Sequence, residues 1–150
     1  MTADLIAFLR ARLREDEAAA VAPETWSAFE ENESTGTRRV DVDHSFERVV
    51  ACTLAWRGVH VARHDPARVL REIDAKRRLL ELHAIVHRDA YWLDEDGEEG
   101  TDEVPVCGHC IPRNSYLPHH AALPQGPCTT VLLLALPYAD HPDYRAEWRP

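Results

Sequence analysis

Five prolines fall between residues 104 and 127, the turn Cys107-Gly108-His109-Cys110 lies among them, and Cys128 follows at once. Proline lacks a backbone donor and breaks helix interiors and central strands, so this spacing excludes one long regular element there. A segment of this kind builds little core of its own and has to be held by something else. The cysteines offer a means. Cys107-x2-Cys110 is a spacing that lets two thiolates reach one tetrahedral ion, and Cys128 comes at a separation usual for the second half of a zinc site.

Other uses of these thiols remain in view. A redox pair normally opens a helix after a strand, where the helix terminus lowers a thiol pKa; Ile111-Pro112-Arg113 reads instead as irregular chain. The cysteines could also be mere neighbours in sequence. An acidic chain with a cytosolic character favours metal over disulfide, and thiolate with imidazole favours Zn²⁺. The fourth cysteine, Cys52, sits in an alternating pattern and reads as a small buried hydrophobe.

Three thiolates need a fourth ligand, and there are nine histidines to supply it: His44, His60, His64, His83, His87, His109, His119, His120 and His141. His109 sits inside the knuckle, where middle side chains usually point away from the ion. His119 and His120 could close a local Cys3His loop. His83 could clip the loop to a helix, although His83 and His87 also read as ordinary helix-end histidines. Three thiolates with one imidazole form a closed set, which is structural in kind; a catalytic zinc keeps an open position. There is no His-Glu-x-x-His and no deaminase pairing of His-x-Glu with Pro-Cys-x-x-Cys. No catalytic residue is assigned, and a zinc hydrolase is the weakest reading.

The rest of the chain divides by period. Residues 1–22 predict an amphipathic helix, with Leu5, Ile6, Leu9 and Leu13 at helical spacing and Asp4 near its positive end. Residues 24–36 are acidic and turn-rich. From 38 to 55 the period becomes two, Val40 and Val42 and then Val50, Cys52 and Leu54, which predicts a hairpin turning near residues 44–46; the second run could instead feed a short helix through 56–64. Asp65-Pro66 is the clearest local signal, a favoured N-cap before proline at the first helical position. The helix it opens is expected over residues 65–87, with Val69, Ile73, Leu80, His83 and His87 on one strip and Glu72–Lys76 and Asp74–Arg78 as i,i+4 pairs. Residues 94–103 read as a solvated acidic loop. A zinc loop and C-terminal helices fill 104–150, the last full helix starting near Cys128 and stopping at Pro137. The fold class predicted is mainly α with a small β-hairpin, an α+β single domain with a zinc-stabilised irregular loop.

Charge narrows the partners. Lys and Arg number 17 against 26 Asp and Glu, a net charge of −9 over 150 residues, and phosphate binders need a basic footprint instead. The basic run Arg63, Arg68, Arg71, Lys76, Arg77 and Arg78 is offset by Asp65, Glu72 and Asp74 and reads as a solvated helix face; nucleic-acid binding through it is the alternative to protein binding. The longest apolar run, Val131–Leu136, is too short for a membrane span, which needs about 18 residues. No secretory signal is expected, because Arg10 and Arg12 interrupt the first apolar stretch. The expectation is a cytoplasmic protein that binds another protein through its acidic surface or a helix face. There is no phosphate-binding glycine loop and no Gly-x-Ser-x-Gly elbow.

Three runs carry a resemblance: MTADLIAFLRARL at 1–13, HVARHDPARVLREIDAKRR at 60–78 and LALPYADHPDYRAEWRP at 134–150. They resemble an uncharacterised family, a small domain of unknown function found in Streptomyces and related actinobacteria and in their bacteriophages. Residues 24–55 and 92–126 match it less closely. The resemblance carries no activity. It does bear on the metal, because family members look like Leu-His at the end of the long helix, then C-x2-C, then Pro-Cys before the last helix. Here those positions are Leu82-His83, Cys107…Cys110 and Pro127-Cys128. The resemblance therefore implies a structural Zn²⁺ on His83, Cys107, Cys110 and Cys128, with His119 as the alternative fourth ligand.

Overall fold

A computed structural model describes residues 2–20, 24–43, 45, 47–52, 55–93, 96–111 and 126–150. Among these residues there are four α-helices and five strands in two antiparallel sheets, an α+β architecture. The chain divides into two compact units, residues 13–75 and residues 1–12 with 76–150.

In the 13–75 unit, β1 (Trp26–Asn32), β2 (Thr37–Val42) and β3 (Arg48–Cys52) form a sheet in that order. The alternation around Val40 gives the expected pairing, with Val40 opposite Val50 and Arg38 opposite Cys52; the turn residues 44 and 46 lie outside the described set. Residues 24–36 correct the sequence reading, because most of them form β1 and its turn. Trp26 pairs with Val42 and Ala28 with Val40. Asn32 ends the strand: its side-chain oxygen accepts the Ser34 N–H at 3.0 Å and the Ser34 hydroxyl at 2.6 Å, and Gly36 then takes a φ of 65°. Such Asx chemistry turns the chain without any apolar signal. α2 (Ala55–Arg63) packs against all three strands. Its Gly58 is buried, whereas Trp56, Arg57, Val59 and His60 are exposed, so one face is covered and the other is open.

α3 (Pro66–Leu82) starts as its sequence predicts. The Asp65 carboxylate accepts the Arg68 N–H at 2.6 Å, and Arg68 bonds Glu72 at 2.7 Å one turn on. Ile73 and Leu80 are buried along the expected strip. Its end is the second correction. The helix stops at Leu82 rather than 87, and Val86 and His87 belong to a strand.

The other unit contains the start of α1 (Thr2–Ala19), where Leu5, Phe8 and Leu9 are buried. Next come a hairpin of β4 (Ile85–Leu93) and β5 (Glu99–Cys107), then α4 (Thr129–Ala135). Ala90, Val104 and Val106 are buried together in the hairpin, with Ile111 packed on them. The expected loop over 94–103 is corrected in part: residues 99–103 are strand. Two features make this possible in so polar a run. Pro105 faces His87 in a two-stranded ribbon, where a missing donor can point outward. Gly100 lies under the Trp92 ring, which a Cβ there would meet at 2.3 Å. Beyond α4, short 3₁₀ turns at Leu136–Tyr138 and Ala146–Trp148 replace a further helix. No helix among the described residues is long and apolar enough to cross a membrane.

Candidate metal centre

Three element ends converge on one point of the unit that contains residues 76–150. The first is the end of α3, where the His83 N–H bonds the Leu79 carbonyl at 3.0 Å and the Ala84 N–H bonds Glu81 at 3.2 Å. That last tight turn leaves His83 just past the helix and 6% exposed. The second is the end of β5. Cys107 closes the ladder opposite Ile85, and the Gly108 N–H extends it to the Ala84 carbonyl at 2.9 Å. A Cβ on Gly108 would stand 3.2 Å from Val86, so glycine permits this close approach of turn to strand. The Ile111 N–H then returns to the Cys107 carbonyl at 3.2 Å, which wraps Cys110 back toward Cys107. The third is the start of α4, where Cys128 is the N-cap residue in extended conformation and its carbonyl accepts the Val131 and Leu132 N–H groups.

The side chains meet. His83 Nδ1 lies 3.4 Å from Cys107 Sγ, 3.6 Å from Cys110 Sγ and 3.4 Å from Cys128 Sγ. All four donor atoms lie within 4.8 Å of one another, and the three cysteines are free thiols. Such a cluster can hold one metal ion. Cys107 is buried, Cys128 half-buried and Cys110 exposed, so the centre is closed on the protein side and reaches the surface at Cys110.

The electrostatics of the ion-free cluster are uneven. Burial opposes ionisation of Cys107, but hydrogen bonds from the Cys110 and His109 backbone, with those of the Cys110 and Cys128 side chains, outweigh it and bring its pKa below the usual 9.0. Cys110 goes the other way. Its hydrogen bond to Cys107, burial, and repulsion from Cys128 and Cys107 push it up to about 12. Crowded sulfurs cannot all ionise without a cation between them.

All four residues singled out by the sequence therefore come together. His109 stands beside the cluster, its ring edge-on to His83 with centroids 4.8 Å apart. His87 is an exposed strand residue. His119 and His120 lie outside the described residues, as does the side chain of Cys52. The spacing missed the part of β4 and β5: the hairpin brings Ala84 and Gly108 together, and so sets the distance from the end of α3 to the knuckle.

Among curated proteins and among solved structures nothing matches the chain. A family description does match, over residues 2–150. The chain belongs to the family of unknown function DUF6221.

Proposed function

We propose that His83, Cys107, Cys110 and Cys128 hold a structural Zn²⁺ that clasps the end of α3, the β4–β5 hairpin and the start of α4. The observation that carries this reading is the three nitrogen–sulfur distances of 3.4, 3.6 and 3.4 Å. With Zn–S of about 2.3 Å and Zn–N of about 2.0–2.1 Å, a tetrahedral site has an N···S edge of about 3.6 Å. The three nitrogen–sulfur edges match that length, which supports such a site. Three thiolates and one imidazole select Zn²⁺ over hard cations. Four protein ligands leave no position for a substrate or an activated water, so the ion stabilises and does not catalyse.

The protein so held is an interaction or accessory protein whose partner is another protein. Its net charge of −9 supports that over a nucleic acid, and large apolar side chains stand exposed near the clasp, Leu82 at 51% and Val86 at 39%. Elemental analysis of protein purified without chelator tests the clasp. One zinc per chain, lost in His83→Ala, is expected. Zinc retained in His83→Ala and lost in His119→Ala would transfer the fourth position to the alternative residue. A chain without zinc would overturn the reading. For the partner, a pull-down from host lysate with no protein above background counts against the interaction role.

A further inference from the structure

α2 carries a second pair of metal-capable side chains, remote in sequence from the cysteines and absent from the proposed clasp. His60 and His64 are four residues apart, one helical turn, so their side chains occupy one stripe. The turn continues through His64, whose N–H bonds the Val61 carbonyl at 3.0 Å. Both residues are exposed. Their rings are neighbours, with centroids 4.5 Å apart and planes inclined by 49°.

That separation has a chemical meaning. An ion bound to an imidazole nitrogen at about 2.0–2.1 Å stands about 3.2 Å from the ring centroid. Two rings in neighbouring positions of a square-planar or octahedral ion, at a right angle, then have centroids about 4.5 Å apart; at a tetrahedral angle they would stand about 5.2 Å apart. The observed spacing equals that of the right angle, which the pair meets when one nitrogen of each ring turns to a common ion. The geometry points to a surface chelate, in which His60 and His64 take two adjacent positions of a Ni²⁺- or Cu²⁺-class ion.

The two centres differ in kind. The cysteine cluster is a closed set of soft donors. The histidine pair has only two borderline donors and leaves the ion's remaining positions to water or to a ligand from outside. Arg57 and Arg63 share the helix and no acid lies on it. A dication there is opposed by neighbouring charge, so binding is weaker than at the clasp and the open positions favour an anionic ligand.

Titration of the full chain with Ni²⁺, after loading with zinc, tests the site; Ni²⁺ is used because it does not oxidise thiols. One Ni²⁺ equivalent is expected. His60→Gln and His64→Gln should each weaken it by roughly tenfold or more, since a chelate depends on the effective concentration of its second arm. His87→Gln, on an exposed strand, should leave it unchanged. Paramagnetic broadening of the α2 amide resonances should accompany binding, since Ni²⁺ completed by water is six-coordinate and high-spin. Because both side chains are exposed, the variants keep the wild-type circular dichroism. Unchanged Ni²⁺ affinity in both variants, or a loss appearing instead in a His119→Gln, His120→Gln double variant, overturns the assignment. Zinc content is measured separately on the same samples, so failure of the clasp and failure of the chelate are read independently.

Discussion

The unit containing residues 76–150 gathers two segments through contrasting side-chain chemistries. One is the knuckle with the start of α4, where four donor atoms meet at the end of α3. The other is the tail beyond Ala135, which has no donor cluster and is bound by rings. Phe8 on α1 is its hub: Tyr138, His141, Tyr144 and Trp148 surround it at centroid distances of 6.2, 5.7, 6.1 and 5.0 Å. Trp148 is 2% exposed. Arg12 lies over the Phe8 ring and bonds His141. Aromatic burial needs no ion, whereas the proposed clasp would hold only while its ion is bound. The same unit should therefore come apart in two separable ways.

Removing the ion is the harshest test of that separation. A strong chelator, or Cys110→Ser, should cost about 4 kcal/mol or more, the linkage expected where free zinc exceeds its dissociation constant about a thousandfold. Hydrogen exchange should rise at β5 near Cys107 and in α4, while the amides around Phe8 and Trp148 keep their protection. Equal loss of protection in both segments would break the comparison.

The aromatic segment should fail in the complementary way. Trp148→Ala removes a fully buried indole and should cost about 3–5 kcal/mol. Zinc stoichiometry should stay at wild type. Independent sites add to within about 0.5 kcal/mol, so Trp148→Ala combined with chelation should equal the sum of the two effects. A clear departure from the sum, in urea unfolding, would show that clasp and tail act as one element.

Acid separates the two by mechanism. In the ion-free cluster Cys110 is pushed up to about 12, so its thiol is protonated at neutral pH, and zinc must displace that proton to bind. Binding at pH 7 should therefore release protons, measured by calorimetry in two buffers of different ionisation heat. The sign follows for stability. Zinc-dependent stabilisation is present where metal outcompetes protons for the sulfurs and is lost as pH falls, while the ring cluster has no thiolate to protonate. Proton release of zero would sink the thiolate model of the centre.

The donor cluster was legible in the sequence, and most of its frame was not. The donors have rare chemistry at a constrained spacing, so Cys107, Cys110 and Cys128 could be grouped without knowing any strand. Asp65-Pro66 was equally plain, because cap and first-turn proline are local effects. The hairpin was not. His83 and His87 continue the strip of Ile73 and Leu80 at helical spacing, and no glycine or proline announces the stop at Leu82. The helix ends because the chain turns to deliver His83 and to pair Ile85 with Cys107, a requirement of tertiary origin. On the other strand, Glu99, Asp102 and Glu103 have the composition of a loop; they are strand because they pair with β4 and because Gly100 admits the Trp92 ring. The β1 strand was hidden behind acids, although Asn32 to Gly36 held a turn signal that could have revealed a hairpin.

A smaller effect asks whether α3 transmits disturbance from its first turn to the clasp at its end. Asp65→Ala removes the cap that accepts the Arg68 N–H and should cost about 1 kcal/mol. Helix ends fray locally, and His83 is held separately by its own turn. Zinc affinity, from competition with a chromophoric chelator, should not change. A weakened affinity would mean that the clasp depends on the whole length of α3.

The smallest expected effect lies at the rim of the ring cluster, where Arg145 makes contacts of different kinds. Its guanidinium meets the Asp4 carboxylate at 3.0 Å and also lies over the Trp148 ring, 5.4 Å from the centroid. The ion pair is open to water, with side chains 53% and 49% exposed, and pairs of that kind contribute about 0.2–1 kcal/mol. Asp4 also sits in the first turn of α1, where a carboxylate is favoured by the helix dipole. Asp4→Asn removes the charge of the pair and of the dipole contact and keeps the stacking; Arg145→Ala removes that pair, the looser pair with Glu147 at 3.7 Å and the stacking, and keeps the dipole contact. Raising salt should shrink the cost of Asp4→Asn toward zero, because exposed charges are screened within about 10 Å at 0.1 M. The cost of Arg145→Ala should shrink less, since a cation held against an aromatic face also loses apolar contact when it is cut away. If salt erased both costs equally, the tail's hold on Trp148 would be electrostatic at its rim, and the contrast between a ring-bound segment and a charge-bound one would have to be confined to the Phe8 core.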